Sequence, residues 1–200
     1  MSAGRGVWHG VGWRARLWAL LALLLLVAAA IGFPPGAAAE QASQPGSPAA
    51  AGLDVSGGTD ADPSGHTCAV QGGGEVRCWG YGVGGRLGYP SAVTPANPSI
   101  GDDETPGSAG PVALGGGATA ISAGAFHNCA LLEGGSVRCW GFGGEGRLGY
   151  RNVETIGDNE PPGSVGPVEL GGSATAISAG GGHSCAVLVG GSVRCWGFGS

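Results

Sequence analysis

The sequence predicts an all-β fold in which short antiparallel strands recur along the chain. The segments Leu114–Gly143 and Leu170–Gly199 are identical at 24 of 30 positions, and a third copy, His66–Gly82, stands upstream. In every copy a pair of cysteines and several glycines keep the same places beside aliphatic residues spaced two apart. Self-similarity at a period of this length indicates stacked structural repeats, because each unit buries its apolar face against its neighbours.

Each full copy contains three segments that are typical of strands. The first reads Ala-Thr-Ala-Ile-Ser-Ala and covers 118–123, with a second occurrence at 174–179. The other two are His127–Leu132 and Ser136–Gly141, and the glycines between them favour a tight turn. Beyond the N-terminal residues, no segment has the apolar period of a helix. We therefore expect hairpins joined by glycine-rich loops.

Residues 1–39 have the features of a signal peptide. Three arginines precede an apolar run from Leu17 to Ile31, and the small residues 37–39 suit signal peptidase. The arginines are Arg5, Arg14 and Arg16. An uncleaved membrane anchor is the alternative, although the run is shorter than the ~20 residues that span a bilayer. We expect the mature protein to be secreted or held at the cell surface.

The rest of the chain divides into a linker and the repeats. Residues 40–62 are rich in Pro, Gly, Ala and Ser and are predicted to form a flexible linker. The repeats are assigned to 63–122, 123–178 and an incomplete 179–200. The first copy has five extra residues between Tyr89 and Ile100, and length variation confined to one loop is typical of repeats.

The charge of the exported part argues against nucleic acid as a partner. The chain has nine basic and fourteen acidic residues, and three of the basic ones lie in the predicted signal, which leaves 6 − 14 = −8. An acidic surface repels phosphate backbones. No cofactor is expected either, because glycine-rich stretches such as 143–146 lack the lysine and the helix that follow a phosphate-binding loop.

All six cysteines lie in the exported part and form three Cys-x9-Cys pairs. Folding the second copy about Gly134 places Cys129 opposite Cys139, and Leu131 opposite Val137, on one face of a hairpin. Opposed Cα atoms lie about 4.5–5.5 Å apart, which is within disulfide reach. In an oxidising compartment we therefore predict three disulfides. They join Cys68 to Cys78, Cys129 to Cys139 and Cys185 to Cys195.

A histidine stands two residues before the first cysteine of each pair. Together with two cysteines it could supply three zinc ligands, but a fourth is not evident, so no metal site is predicted. A catalytic triad needs a base beside a nucleophile, and no nucleophile stands out once in the chain, so no catalytic residue is predicted. We expect a structural role, with each ring bonding a turn carbonyl within its own repeat. The histidines are His66, His127 and His183.

A tryptophan follows the second cysteine of each pair and points to the opposite face. We expect these rings to pack between neighbouring repeats, and an exposed ring of ligand-stacking tryptophans is the alternative. They are Trp79, Trp140 and Trp196. Leu87 and Tyr89, in an Arg-Leu-Gly-Tyr segment that recurs at 147–150, are expected to tuck under the loop that leaves each tryptophan strand.

Two acidic clusters, Asp102–Glu104 and Asp158–Glu160, recur in the loops. Their side chains are predicted to cap turns. Calcium binding is the alternative, although the spacing matches no EF-hand loop.

Three linked patterns resemble the repeat of the regulator of chromosome condensation family, in the cysteine-containing form of exported bacterial proteins. They are Gly-x-x-His-x-Cys-Ala, Gly-x-Val-x-Cys-Trp-Gly and Gly-Arg-Leu-Gly, and they cover Gly65–Ser200. The resemblance implies a β-propeller, commonly of seven four-stranded blades. Three copies do not close such a ring, so we expect an open propeller of about two to three blades, a fragment whose blade edges could self-associate.

The resemblance implies less about function. The eukaryotic member exchanges nucleotide on a nuclear GTPase, and none of its exchange residues can be matched in this chain. Exported relatives bind other proteins. We therefore expect a non-enzymatic scaffold that binds a protein or a glycan through its loops. The alternative is a fragment of a larger exported enzyme or of a structural surface protein, with the functional site in further repeats.

Overall fold

Glycine-centred turns fold the chain into antiparallel hairpins. The structure is a computed structural model and describes residues 53–56, 65–93 and 98–199. The first repeat contains β1 (Leu53–Ser56), β2 (His66–Val70), β3 (Val76–Tyr81) and β4 (Ser99–Ile100). The second contains β5 (Ala118–Ala123), β6 (His127–Leu132) and β7 (Val137–Gly141), and the third contains β8 (Ala174–Ala179), β9 (His183–Leu188) and β10 (Val193–Gly197).

Each repeat forms its own antiparallel sheet. The strand orders are β1-β2-β3-β4, β5-β6-β7 and β10-β9-β8. A single bridge between Gly141 and Ile156 in the second sheet stands where β3 pairs with β4 in the first. The only helical segments in the described part are the single 3-10 turns Gly144–Gly146 and Pro162–Ser164. The all-β prediction is therefore confirmed, and none of the three sheets closes on itself, as expected of a partial propeller.

The hairpin turns explain why two glycines recur between the cysteines. In the second repeat the N–H of Gly135 donates to the carbonyl of Leu132 over 3.0 Å, and Gly134 has φ +83°. A positive φ at this third position defines a type II turn and favours glycine. The first and third repeats form the same turn with Gly73 and Gly190, both at φ +92°.

The predicted register of the hairpins is confirmed. Cys129 pairs with Cys139, Ala130 with Arg138 and Leu131 with Val137, and the first and third repeats follow the same register. In the first and second repeats this register places the cysteines and the facing valines on the buried side, and Val76 and Val137 are at most 1% exposed. The alternation of apolar residues at every second position therefore predicted the register of the hairpins.

Two assignments from the sequence need correction. β1 lies within the predicted linker 40–62 and pairs with β2, from Leu53 opposite Ala69 to Ser56 opposite His66. β5, assigned with the first repeat 63–122, pairs with β6 in the second sheet because the short turn at Gly124 forms a hairpin. The predicted signal peptide lies outside the described residues. In the part of the chain that the structure describes, no helix is long and apolar enough to cross a membrane.

The same backbone hydrogen bonds join each sheet to the next. The N–H of Ala118 donates to the carbonyl of Gly74, and the N–H of Ala174 donates to that of Gly135, over 2.8 and 2.7 Å. A second bond from the N–H of Val112 to the carbonyl of Val76 recurs one repeat later between residues 168 and 137, both at 2.8 Å. One continuous apolar core runs through the seams between sheets.

Candidate functional site

The structure bonds the six cysteines in the three pairs named above. The paired Cα atoms lie 4.0–4.1 Å apart. The first two disulfides are fully buried, whereas Cys195 of the third is exposed. No cysteine in the described residues is free. Because zinc binds thiolates, the alternative set of one histidine and two cysteines is not formed.

The side chains of His66 and His127 reach the next repeat. His66 Nε2 lies 2.8 Å from Asn128 Oδ1, and the Asn128 amide donates to the carbonyl of Arg86 over 2.6 Å. One seam later His127 Nε2 lies 2.7 Å from Ser184 Oγ, which donates to the carbonyl of Arg147 over 3.0 Å. Asn128 and Ser184 both follow the histidine of their repeat. For His127 the expected bond to a carbonyl of its own repeat was wrong, because Nε2 bonds Ser184 in the next repeat and Nδ1 has no partner among the described groups.

Hydrogen bonding fixes the tautomer of His127. Ser184 has one hydroxyl proton, which it donates to the carbonyl of Arg147, so its oxygen accepts the Nε2–H of His127. Nδ1 of His127 is buried and has no hydrogen-bond partner among the described groups. Burial lowers the pKa of both His66 and His127 to about 4. These rings are therefore neutral at pH 7, while His183 lies exposed on the third sheet.

The tryptophans pack across the seams. Trp140 is fully buried, and a Cβ on Gly88 of the preceding repeat would lie 3.0 Å from its Nε1. Trp196 donates its Nε1–H to the carbonyl of Arg147 over 2.9 Å. Trp79 is half-buried against the core. An exposed ring of stacking tryptophans is therefore not formed at the two seams.

The Arg-Leu-Gly-Tyr segments hold the outer strands. Leu87 and Leu148 are buried. The Tyr89 hydroxyl accepts the N–H of Cys78 over 3.1 Å and donates to the carbonyl of Gly110 over 2.9 Å. The Tyr150 hydroxyl accepts the N–H of Cys139 in the same way. The tyrosines thus satisfy backbone groups beside the disulfides.

The arginines of these segments form a ladder with aromatic rings, which the sequence analysis missed. Arg86 lies 5.3 Å from the ring centre of Tyr81 and 5.0 Å from that of Phe126. Arg147 lies 6.0 Å from Phe126 and 5.0 Å from Phe142. Phe126 therefore joins two repeats through cation–π contacts. The recurring Arg was the available signal, but its aromatic partners lie in other segments of the chain.

The acidic clusters are arranged as turns. Asp102 accepts the N–H of Asp103, and Asp158 accepts the N–H of Asn159, over 3.1 and 2.9 Å. The carboxylates of 102–104 lie within 4.8 Å of one another, and two of the three residues are exposed. Hydrogen bonding with Asp103 and then burial raise the pKa of Glu104.

One surface of loops exposes apolar side chains to solvent. We define the loop face as the loops 81–86 and 142–147 together with Phe126 and Val153. Its exposed apolar side chains are Val83, Phe142 and Val153, which are 43%, 45% and 63% exposed. Phe142 is the outer ring of the arginine ladder, and Val83 and Val153 lie on the neighbouring loops. Three exposed hydrophobic side chains gathered on loops are typical of an interaction surface.

Repeated sheets that share a core and the same backbone hydrogen bonds across their seams define a β-propeller-type repeat protein. Residues 118–147 and 174–200 match the Regulator of chromosome condensation (RCC1) repeat. The chain thus contains RCC1-type repeats, as the resemblance predicted.

Relatives and solved structures agree with this class. The chain is similar to the Regulator of chromosome condensation of Drosophila melanogaster, with 38% identity over 77 residues, which is 38% of this chain and 13% of that protein. It is also similar to human E3 ubiquitin-protein ligase HERC2, with 29% identity over 66% of this chain and 2% of the ligase. The chain therefore spans a small part of these relatives.

Two solved structures have a similar fold. Yeast RCC1 (Prp20) in complex with Kap60 has a TM-score of 0.52 at 21% identity, over 67% of this chain and 30% of that one. Prp20p from Saccharomyces cerevisiae has a TM-score of 0.50 at 20% identity, over 72% and 33%.

Proposed function

We propose that the chain is an exported, non-enzymatic scaffold that binds another protein through its loop face. The supporting observation is that the repeated polar and aromatic residues are engaged between repeats, while Val83, Phe142 and Val153 are exposed on loops. Framework residues occupied in this way are poorly placed to act on a ligand. Function on such scaffolds resides in the loops.

A protein partner fits better than a glycan. A tryptophan platform on which sugar rings could stack is not formed at the two seams, because Trp140 is fully buried and the Trp196 indole is hydrogen bonded to the seam. The solved relatives are described with protein partners: Kap60 in one, Gsp1p and histones in the other. A net negative charge favours a basic protein and disfavours nucleic acid.

The cysteine pairs support export. Three pairs at bonding distance are typical of an oxidising compartment outside the cytosol. The predicted signal peptide 1–39 would deliver the chain there. The ligase activity of HERC2 is not part of the proposal, because the match covers 2% of that protein.

Capture with matched variants tests the proposal. The full chain, exported and oxidised in a bacterial host, serves as bait for proteins of the surrounding medium. The loop-face variant Val83→Ser/Val153→Ser is tested beside it. The control is Val189→Ser/Val193→Ser, whose valines are 69% and 56% exposed on the third repeat. We expect a protein that the wild type and control retain and the loop-face variant loses. Retention of glycans only, or of the same proteins by all three baits, would overturn the proposal. Light scattering on the same samples separates partner capture from self-association.

A further inference from the structure

A cavity opens on the loop face at the seam between the first and second repeats. Its volume is about 340 Å³. The first repeat contributes Gly82–Gly85 and Val93, and the second contributes Gly157 and Asp158. A cavity of this size lies at the lower end of the range in which proteins hold small ligands, and it matches one long side chain with part of its backbone.

Glycines make the floor of this cavity. Gly85 has φ +71°, and a Cβ there would lie 2.5 Å from the carbonyl oxygen of Ile156. Gly157 has φ +94°, and its Cβ would lie 2.6 Å from the carbonyl oxygen of Gly85. The two loops therefore meet backbone to backbone, and the space above them is left open. Val83 and Val93 supply apolar walls.

The cavity stands where the repeats differ. Val93 belongs to the loop that is five residues longer in the first repeat, and Val83 is replaced by Gly144 at the equivalent place in the second. The framework contacts recur at both seams, but these two walls occur only at the first. A site formed by residues that differ between the repeats occurs once in these repeats, as recognition of one partner requires.

The one charged group in the lining is a carboxylate. Asp158 is exposed, and its Oδ1 accepts the N–H of Asn159. Glu160 stands two residues further on, and burial together with the negative charge of Asp158 raises its pKa. The nearby cation Arg86 donates to the carbonyl of Val83 and is stacked on Tyr81 and Phe126, and it does not line the cavity.

We propose that this cavity binds a lysine or arginine side chain of a protein partner, with the aliphatic stem against Val83 and Val93 and the charged head at Asp158. Long basic side chains bury their stems on apolar surface and keep the charge at the rim. The chain itself has no lysine, and residues 65–199 carry six arginines and ten carboxylates, so the surface attracts cationic partners. This inference rests on the proposed protein-binding function and names the chemistry of the partner.

The test uses three acetylated and amidated tripeptides against the ¹⁵N-labelled full chain. Gly-Lys-Gly carries stem and charge, Gly-norleucine-Gly carries the stem alone, and Gly-Glu-Gly carries the opposite charge. We expect Gly-Lys-Gly to shift the amide signals of Gly82, Gly84, Gly85 and Gly157 saturably. The norleucine peptide should bind about fivefold more weakly, the value of one exposed ion pair. The glutamate peptide should not shift these signals.

Asp158→Asn and Asp102→Asn form a matched pair of variants. Both residues occupy the same place in their loops and accept the next N–H, which asparagine also does, but Asp102 does not line the cavity. Asp158→Asn should reduce binding of Gly-Lys-Gly to that of the norleucine peptide, and Asp102→Asn should leave it unchanged. Equal shifts by all peptides, equal effects of both variants, or no shift at about 10 mM peptide would overturn the inference.

The outcome separates this inference from the proposed function. If Asp158→Asn bait still captures the partner while Val83→Ser/Val153→Ser bait does not, the scaffold function stands. The proposal that the cavity binds a basic side chain of the partner is then wrong. If Gly-Lys-Gly binds as expected but no protein depends on the loop face, the cavity chemistry stands and the scaffold function fails.

Discussion

Asn128 and Ser184 have different side chains but the same task in their repeats. Each accepts a hydrogen bond from the histidine of the preceding repeat and donates one to an arginine carbonyl of that repeat. Only a side chain that both donates and accepts can do this. Thr67, at the same place in the first repeat, meets this requirement as well. All three residues that stand between His and Cys can therefore both donate and accept a hydrogen bond.

Neutral buried histidines make stability depend on pH. The folded pKa of His66 and His127, about 4, lies below the ordinary value of 6.5, so the unfolded chain binds more protons between these values. The free energy of unfolding should be unaffected by them above pH 6.5 and should fall as pH drops from 6.5 towards 4. The loss is at most roughly 3 kcal/mol for each histidine.

Urea unfolding of the wild type and His127→Gln at pH 7.5, 6.5, 5.5 and 4.5 measures this effect. Glutamine keeps an N–H for Ser184 but does not titrate. The variant should lose about half of the acid destabilisation that the two histidines cause. Acidic groups such as Glu160, whose pKa is raised by burial, titrate equally in both proteins and cancel in the difference. Identical pH profiles would show that His127 is not the titrating group.

At the scale of the hairpin, each disulfide occupies a position without direct cross-strand hydrogen bonds. The N–H of Leu132 donates to the carbonyl of Ser136, which makes 132–136 a hydrogen-bonded pair. Pairs alternate along antiparallel strands, so Cys129 and Cys139 form a non-hydrogen-bonded pair, where Cα atoms approach most closely. The outward N–H of Cys139 is then free to bond Tyr150.

The second and third disulfides should differ in what their removal costs. Both close loops of ten residues, so the loss of chain constraint is about 2–3 kcal/mol for each. Cys129→Ala/Cys139→Ala also leaves a cavity in a buried site, whereas Cys185→Ala/Cys195→Ala alters an exposed one. Urea unfolding should therefore show the larger loss for the buried pair. Equal losses would mean that burial adds nothing to the chain-constraint contribution.

Sequence patterns predicted the features that depend on residues close together in the chain. The strands 118–123 and 174–179, the cysteine register and the turn glycines follow from period-two alternation and from turn chemistry. β1 was missed because its four residues, Leu53–Ser56, lie in a segment whose composition is typical of a linker. The histidine partners and the arginine ladder were missed because the contacting residues lie in different repeats. The cavity at Asp158 forms where loops of two repeats meet, and the periodicity of a sequence does not predict which loops meet.

At the scale of the whole molecule, stability depends on contacts between adjacent repeats. β2 packs against β5, and β6 packs against β8, so each repeat is held by the next one along the chain. Stacked repeats of this kind behave as a row of units with nearest-neighbour coupling. Damage at one seam should then remain local and should not unfold the molecule as a unit.

Ser184→Ala provides the local damage, because it leaves the buried His127 N–H without its acceptor, a loss of about 1–3 kcal/mol. Native-state hydrogen exchange should speed up in β8, β9 and β10 and remain unchanged in β2 and β3. Ser178→Ala, an exposed serine of β8 in the same repeat, is the control and should change neither. Faster exchange in every strand would show one cooperative unit, and the nearest-neighbour description would then be wrong for this molecule.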